Sequence, residues 1–282
     1  MMKKLALAAA AFLGLTGLQA PPAQKPLPEL SLWRLDCGNF VIKDYNAFFS
    51  DTMAYPPGRP KAIVASCYLI KNGDRYMLWD TGVPAGLVGK PAENAAQRIE
   101  LKATIADQLK RIGVRPDQIS MIGISHYHFD HIGQAANFPK AELVIGKGDL
   151  DALKVKPTPK GMEPELLKPW IGGGGKVTAV EKDADLFEDG RVIMLKTPGH
   201  TPGHNALLVR LRSGNVLLTG DLYHFTEQVP IKGVPPFNTN RADTLASMDR
   251  FDKLARNLNA KVIIQHEPAD IPKLPPFPQA AQ

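Results

Sequence analysis

Histidine and aspartate side chains gather in a few short motifs of this sequence. Six of the seven histidines lie in or beside three such motifs, which scattered structural histidines would rarely produce. The first motif spans 125–131 (SHYHFDH), the second spans 197–204 (TPGHTPGH), and the third is the mostly apolar run 262–265 with His266 at its end. Imidazoles combined with carboxylates suit zinc or a similar first-row divalent ion. The seven candidate metal ligands are His126, His128, Asp130, His131, His200, Asp221 and His266.

The spacing of these ligands predicts two metal ions. His126 and His128 are alternate residues and can share one ion, while Asp130 and His131 turn toward a second. Asp221 has two carboxylate oxygens and is suited to bridge the pair. Two such ions lower the pKa of a bridging water, so that hydroxide can attack an ester, lactone, amide or phosphoester at neutral pH. Asp130 or Asp221 would then carry a proton toward the leaving alkoxide.

Each motif follows an apolar run that is typical of a β-strand. In layered α/β folds, the loops at the carboxyl ends of strands gather to build a site. We expect strands at 31–36, 62–71, 75–80, 121–124, 141–145, 177–180, 191–196, 205–211, 215–219 and 261–265. We expect helices at 97–112, near 148–155 and at 241–258. Strands in two groups, each followed by helices, predict an α/β sandwich with mixed sheets.

Composition excludes several classes of protein. The 282 residues are 44% hydrophobic and 22% charged, which is too apolar for a largely disordered chain. The one long apolar run lies at the extreme N-terminus, so a multi-span membrane protein is excluded. The formal net charge of +6 falls to +4 if Lys3 and Lys4 are removed with residues 1–20, and the sequence contains no basic run. Nucleic acid is therefore not an expected partner.

Residues 1–20 have the layout of a secretory signal peptide, with two lysines before a short apolar stretch. An uncleaved N-terminal anchor is the alternative, because Pro21 makes cleavage directly before it awkward. We expect 21–30 to be a Pro-rich lead-in and 31–282 to be a single hydrolase domain. The protein is accordingly expected to be periplasmic or secreted, with no membrane span after processing.

The two cysteines, Cys37 and Cys67, do not form a CxxC pair, which excludes a cysteine zinc site. Cys67 lies in an apolar, strand-like run. A disulfide needs a close Cα approach that a sequence does not reveal. We therefore expect two buried free thiols.

The two histidine motifs, with a later aspartate and a final histidine in the same order, resemble the metallo-β-lactamase superfamily. Within it, SHYHFDHIG and TPGHTPGH are closest to the N-acyl-homoserine lactonases. The resemblance spans roughly residues 31–270. It implies a four-layer αβ/βα sandwich with a dinuclear centre between two mixed sheets. It also implies that the enzyme opens the lactone ring of N-acyl-homoserine lactones with a metal-bridging hydroxide.

The resemblance assigns a place to each ligand. One metal would be held by His126, His128 and His200. The other metal would be held by Asp130, His131 and His266, with Asp221 bridging the two.

The same resemblance suggests roles for nearby residues. Asp80, in an Asp-Thr-Gly turn, would support a metal-bound histidine, and His204 would be a hydrogen-bonded neighbour of the ligands. Lactonases often place a carbonyl-polarising tyrosine three residues after the bridging aspartate. Here His224 occupies that position and Tyr223 lies one residue earlier, so either one can play the part.

Loops should set substrate selectivity. The partly apolar segments 45–56 and 83–95 can line a channel for an acyl chain, or they can simply cover the core beneath them. The expected partner is a small-molecule lactone or ester. A homodimer is compatible with the sequence.

Rival functions share the ligand set. An organophosphate, phosphotriester or broad ester hydrolase is the main alternative. A β-lactamase is less favoured, because the relatives with an HxHxDH cluster and that activity generally lack the bridging aspartate. A metal-binding module without turnover should lack a ligand, and none of the seven is missing. The expected metals are two zinc ions, with iron, cobalt and manganese as alternatives, and both signal quenching and general ester clean-up are compatible roles.

Overall fold

The computed structural model describes residues 27–158 and 162–282, and within them two β-sheets pack face to face. The larger sheet has the strand order β4-β5-β1-β2-β3-β6-β7-β8. Its strands are β1 Leu30–Ile42, β2 Lys61–Asn72, β3 Arg75–Trp79, β4 Ala92–Glu93, β5 Gln97–Glu100, β6 Ile119–Gly123, β7 Glu142–Gly146 and β8 Val177–Val180. Strands β3, β6, β7 and β8 run parallel to one another, while the remaining pairs are antiparallel, so the sheet is mixed.

The smaller sheet has the order β13-β12-β11-β10-β9 and is also mixed, because β12 and β13 are parallel. Its strands are β9 Ala184–Asp185, β10 Val192–Lys196, β11 Asn205–Leu211, β12 Gly214–Leu218 and β13 Lys261–Ile263. The α-helices are α1 Tyr45–Phe49, α2 Ile105–Arg111, α3 Phe129–Ile132, α4 Lys147–Ala152, α5 Lys168–Ile171, α6 Gln228–Ile231 and α7 Arg241–Asn257. Short 3-10 turns occupy Ala85–Leu87, Pro116–Gln118, Ala135–Asn137, Pro164–Leu167, Gly220–Leu222 and Pro268–Lys273.

Three apolar clusters separate four layers. The first lies between the larger sheet and helices α2 to α5, and the second lies between the two sheets. The third lies between the smaller sheet and α7, where Met248 and Phe251 are buried. Strand β11 illustrates why the smaller sheet is covered on both faces. Leu207 and Val209 face the inter-sheet cluster, while Leu208 faces α7. This alternation of apolar side chains on both faces is what a strand buried on two sides requires, and the layering matches the predicted αβ/βα sandwich.

Two local predictions are wrong. The segment 97–112 is not one helix: Gln97–Glu100 is strand β5, paired with β1, and α2 begins only at Ile105. Thr104 ends the extended stretch, because its side chain and that of Asp107 form a reciprocal capping box at the start of the helix. Pairing with the long strand β1 outweighs the helical spacing of the apolar residues.

The cysteines are also paired, contrary to the expectation of free thiols. Cys37 on β1 and Cys67 on β2 form a buried disulfide with a Cα–Cα distance of 5.8 Å. The antiparallel register places Leu35 opposite Cys67, and a bulge after Asp36 brings Cys37 within reach. A bulge of this kind is invisible in the sequence pattern.

The predicted signal peptide and most of the lead-in lie outside the described residues. In the part of the chain that the structure does describe, none of the helices has both the length and the apolar character needed to span a bilayer.

Candidate metal centre

The loops that carry the candidate ligands follow strand ends at one edge of the sandwich. The 125–131 motif follows β6, and helix α3 begins within it at Phe129. The 197–204 motif connects β10 to β11. Asp221 comes after β12 and His266 comes after β13, which are parallel neighbours. Because carboxyl ends of parallel strands meet at the same edge, residues far apart in the sequence converge here.

One group of ligand atoms is formed by His126, His128, His200 and Asp221. The His126 Nε2, His128 Nδ1 and His200 Nε2 atoms lie between 2.8 and 3.1 Å from one another. The Asp221 Oδ2 atom lies 3.6 Å from His126 Nε2 and 3.4 Å from His200 Nε2. Four donor atoms thus point at one place.

A second group is formed by Asp130, His131 and His266. The two Nε2 atoms are 3.3 Å apart, and Asp130 Oδ2 lies 3.7 Å from each of them. The other carboxylate oxygen of Asp221, Oδ1, lies 3.1 Å from His131 Nε2 and 2.9 Å from His266 Nε2. Asp221 therefore presents one oxygen to each group, which is the arrangement that a bridging ligand requires.

In three of the histidines, the Nδ1 atom that faces away from the ligand groups has a hydrogen-bond partner. His131 Nδ1 lies 2.9 Å from Asp80 Oδ2, and His266 Nδ1 lies 2.6 Å from the Val64 carbonyl oxygen. His200 Nδ1 lies 2.9 Å from Asn238 Oδ1. Donation by Nδ1–H to these oxygens leaves the Nε2 lone pairs facing inward, as in metal-ligating histidines.

The donor set fits two divalent ions. Asp221 Oδ1 is buried and accepts no hydrogen bond from any described residue, despite its two imidazole neighbours. A buried carboxylate oxygen without a donor is costly unless a cation satisfies it. Histidine nitrogens with carboxylate oxygens suit zinc and other first-row ions, so both groups can hold such an ion.

Burial and charge set the protonation of the site. Burial lowers the pKa of His126 and of His200 well below the usual value, and it lowers the pKa of His128 to about 4. Burial also acts to lower the pKa of His131, but the carboxylates of Asp221, Asp130 and Asp80 outweigh it and raise the pKa. The first group is thus held as neutral imidazoles, the form that binds a metal.

His204 supports Asp221, in agreement with its predicted role as a hydrogen-bonded neighbour of the candidate ligands. Its Nε2 accepts a hydrogen bond of 2.9 Å from the Asp221 backbone N–H, and its Nδ1 lies 2.9 Å from the Thr197 carbonyl oxygen. Gly220 has φ of +56° and a Cβ there would lie 2.6 Å from His204 Nε2, so this contact requires glycine. Asp80 likewise supports His131, as predicted.

The structure separates the two candidates for carbonyl polarisation. Tyr223 is extended (φ −133°, ψ 139°), so that its side chain and that of His224 point in opposite directions. The Tyr223 hydroxyl lies 3.2 Å from Asp252 on α7 and 2.8 Å from Lys232 Nζ, outside the ligand cluster. His224 Nε2 lies 3.3 Å from Asp221 Oδ2, and the ring stacks on His266. Of the two candidates, His224 is the one whose side chain lies within the ligand cluster, while the Tyr223 hydroxyl faces Asp252 and Lys232.

A cavity of about 550 Å³ opens onto both groups of ligands, with His128, Asp130, Asp221 and His266 in its lining. Helix α1 contributes Phe48 and Phe49, in agreement with the prediction for 45–56. No residue of 83–95 lines the cavity, and Val83 and Leu87 instead pack in the first apolar cluster, which is the alternative of covering the core. The remaining side chains of the lining, other than ligands and His224, are Phe40, Ile42, Ile63, Gln97, Phe129 and Phe237. Sequence reasoning missed Phe237, whose loop carries no periodicity or motif.

Sequence reasoning also missed Asp149, a buried residue that joins the two histidine motifs. Its carboxylate accepts hydrogen bonds from the Tyr127 N–H (3.1 Å), the Thr201 hydroxyl (2.9 Å) and the Gly203 N–H (2.6 Å). The one signal in the sequence is an aspartate soon after the predicted strand 141–145. Asp149 thereby fixes the loop between His126 and His128 against the loop that carries His200.

Asp149 should make stability depend on pH. Burial raises the pKa of its carboxyl to about 7, although the three donors act to lower it. The folded protein keeps this proton up to about pH 7, whereas the unfolded chain releases it near the usual pKa of about 3.9. Stability of the wild type relative to Asp149→Asn should therefore fall as pH rises between these values, by up to about 1.4 kcal/mol per unit.

Urea unfolding of both proteins in chelator, from pH 4.5 to 8, checks this expectation. Parallel stability curves across that window would contradict it.

Comparison with known proteins agrees with the fold. The family model described as the metallo-beta-lactamase superfamily matches residues 61–266. A solved N-acyl homoserine lactone hydrolase, with the product N-hexanoyl-L-homoserine bound at its catalytic metal center, superposes with a TM-score of 0.74. That match covers 90% of this chain and 99% of the other at 23% identity. The four-layer αβ/βα prediction is thereby confirmed.

Two curated relatives are similar over most of their length. The N-acyl homoserine lactonase AttM of Rhizobium johnstonii is 25% identical over 266 residues, which cover 86% of this chain and 95% of the relative. An N-acyl homoserine lactonase of Bacillus cereus is 30% identical over 226 residues, which cover 75% of this chain and 84% of the relative.

Proposed function

The chain belongs to the metallo-β-lactamase superfamily and is a metal-dependent hydrolase, and we propose that it opens the lactone ring of N-acyl homoserine lactones at a dinuclear centre. The observation that carries the proposal is the position of Asp221, whose two oxygens face two separate groups of ligands beside an apolar cavity. Its similarity to named lactonases supports the choice of substrate.

His126, His128 and His200 would hold one ion, Asp130, His131 and His266 the other, with Asp221 shared. Two divalent ions, when bound, activate water at neutral pH and polarise an ester carbonyl. We propose zinc, since imidazole and carboxylate donors suit it well.

The chain's own groups then handle the substrate and its protons. His224 lines the cavity beside Asp221, and its imidazole would donate a hydrogen bond to the carbonyl oxygen, where charge develops during attack. Asp130 also lines the cavity, and its carboxylate would take a proton from the attacking water and pass it to the leaving alkoxide. Because the alkoxide belongs to the same ring, the product leaves as one molecule.

The cavity suits an apolar acyl chain. Phenylalanine and isoleucine side chains form most of its wall, and burial of apolar surface contributes roughly 25 cal/mol per Å². Phe237 is 43% exposed, which places part of an aromatic ring in solvent where a chain would enter. An acyl tail of several methylenes would cover that ring.

A panel of substrates tests this proposal against its rivals. Purified protein loaded with zinc is assayed with a long-chain N-acyl homoserine lactone, a paraoxon-type phosphotriester and a penicillin. We expect the highest kcat/KM for the lactone. A higher value for the phosphotriester would retain the dinuclear hydrolase and replace the substrate, because the same ligands serve both reactions.

We also propose that the protein is exported to the periplasm or beyond. The signal-like residues 1–20 support this, and so does the buried Cys37–Cys67 disulfide, because disulfides persist in oxidising compartments. Cell fractionation with a full-length, C-terminally tagged chain tests it, and a protein found only in the cytoplasmic fraction would refute it.

The choice between His224 and Tyr223 leads to a paired prediction. Replacing His224 by alanine should lower kcat by about 100-fold with little change in KM, as expected when a donor to the developing oxyanion is lost. Replacing Tyr223 by phenylalanine should leave kcat nearly unchanged and reduce the free energy of unfolding by about 1 kcal/mol, through loss of the Asp252 hydrogen bond.

Steady-state kinetics on one lactone with both variants decide the matter. The reverse pattern, with Tyr223→Phe inactive and His224→Ala active, would show that the two roles are exchanged.

A further inference from the structure

Gln265 is a fully buried glutamine that lies between the two sheets at the metal centre. It follows β13 of the smaller sheet and directly precedes the ligand His266. Its amide contacts residues from both sheets, so it differs from side chains that only fill the core.

All four hydrogen-bonding positions of the Gln265 amide are used. Its Nε2 donates to Asp80 Oδ2 at 2.8 Å and to the Ser66 carbonyl oxygen at 3.2 Å, on the larger-sheet side. Its Oε1 accepts from the Gly220 N–H at 3.0 Å, on the smaller-sheet side, and from Trp79 Nε1 at 3.2 Å. A buried amide bonded in this way has one orientation and no freedom to shift.

Two of these four partners, Asp80 and Gly220, lead directly to a candidate ligand of the second ion. Asp80, which receives the Gln265 N–H, is the acceptor for His131 Nδ1. Gly220, which donates to Gln265, immediately precedes Asp221 in the chain. His266 is the next residue after Gln265 itself. One side chain is therefore linked to His131, to the shared carboxylate and to His266.

We propose that Gln265 is a positioning residue that keeps His131, Asp221 and His266 in register across the two sheets and so sets the affinity of the second ion. The proposal rests on the proposed dinuclear function, because it concerns the ion held by those ligands. Gln265 is not one of the seven candidate ligands and does not line the cavity. Groups that orient metal ligands typically change metal affinity by roughly 10- to 100-fold when removed.

Gln108 provides a matched control. It is also a buried glutamine, and its amide accepts from the Asp36 N–H at 2.9 Å and donates to the Asp36 carbonyl oxygen at 2.8 Å. These partners belong to β1 and do not include a candidate ligand. Replacement by methionine keeps the length of either side chain and removes its hydrogen bonds.

The experiment compares wild type, Gln265→Met and Gln108→Met. The thermal unfolding midpoint of each metal-free protein is measured first. Separate folded samples are then titrated with Co²⁺ while the visible absorption of the bound ion is followed. We expect Gln265→Met to bind one of the two Co²⁺ equivalents roughly 10- to 100-fold more weakly than the wild type does, and the other with nearly wild-type affinity. Gln108→Met should lose thermal stability and keep both affinities.

Two results would overturn the proposal. One is a Gln265→Met protein that binds both equivalents as the wild type does, and the other is a Gln108→Met protein that loses the second ion equally. If Gln265→Met does not fold, Gln265→Glu replaces it, since glutamate keeps the acceptor for Gly220 and loses the donor to Asp80. Wild type that binds no Co²⁺ would instead refute the proposed function itself.

Discussion

Replacement of Asp221 by asparagine is expected to lower kcat/KM for lactone hydrolysis by about 1000-fold or more and to reduce the bound metal below two ions per chain. The amide nitrogen has no lone pair to offer, so one of the two groups loses its shared oxygen. The loss should exceed the roughly 10- to 100-fold effect of removing a group that only supports a ligand. The side chain keeps its size, and the fold should survive.

Kinetics and metal analysis on the purified variant check this result, with Asp252→Asn as the control. Asp252 lies on α7 and bonds to Tyr223 and Lys232, so its replacement tests loss of a nearby carboxylate outside the ligand groups. Asp252→Asn should retain near wild-type kcat/KM. An Asp221→Asn enzyme with more than a tenth of wild-type activity would show that Asp221 does not bridge the ions.

Replacement of Gly133 by alanine should destabilise the protein by about 3 kcal/mol and impair the second metal group. A Cβ at Gly133 would lie 2.3 Å from the Pro84 nitrogen and 2.4 Å from the Gly82 carbonyl oxygen. Both are backbone atoms, which cannot rotate away as a side chain would. The close packing of Gly133 on this turn also places the Thr81 N–H 2.6 Å from the His131 carbonyl oxygen. Helix α3, which carries the candidate ligands Asp130 and His131, would therefore have to move.

Urea unfolding measures the loss of stability, and Gly86→Ala is the control because nothing lies within 4 Å of its added Cβ. That control should change the free energy of unfolding by no more than about 0.5 kcal/mol. A Gly133→Ala protein with wild-type stability would show that α3 does not dock so closely on the 81–84 turn.

The candidate ligands could be read from the sequence because each lies just after a strand. His126, His200, Asp221 and His266 need no knowledge of loop paths, since the ends of neighbouring strands must meet at one edge of a sandwich. The direction of a particular side chain beyond a strand end cannot be predicted in this way. The choice between Tyr223 and His224 depended on the backbone angles at Tyr223, which no residue type fixes.

Long-range partners were the features that the sequence could not supply. The apolar residues of 97–112 do have helical spacing, but the first four residues form strand β5 because they pair with β1. The Cys37–Cys67 disulfide depended on a bulge. Gln265 and Phe237 act through contacts with residues far away in the chain, and neither belongs to a motif.

Stepwise metal loading tests most directly whether two ions, held by the seven candidate ligands, catalyse hydrolysis of a lactone. Metal-free protein is titrated with Zn²⁺, and opening of an N-acyl homoserine lactone is followed by proton release after each addition. We predict no turnover without metal and full activity only at two equivalents per chain. Turnover by the metal-free protein, or full activity at one equivalent, would contradict a dinuclear lactonase.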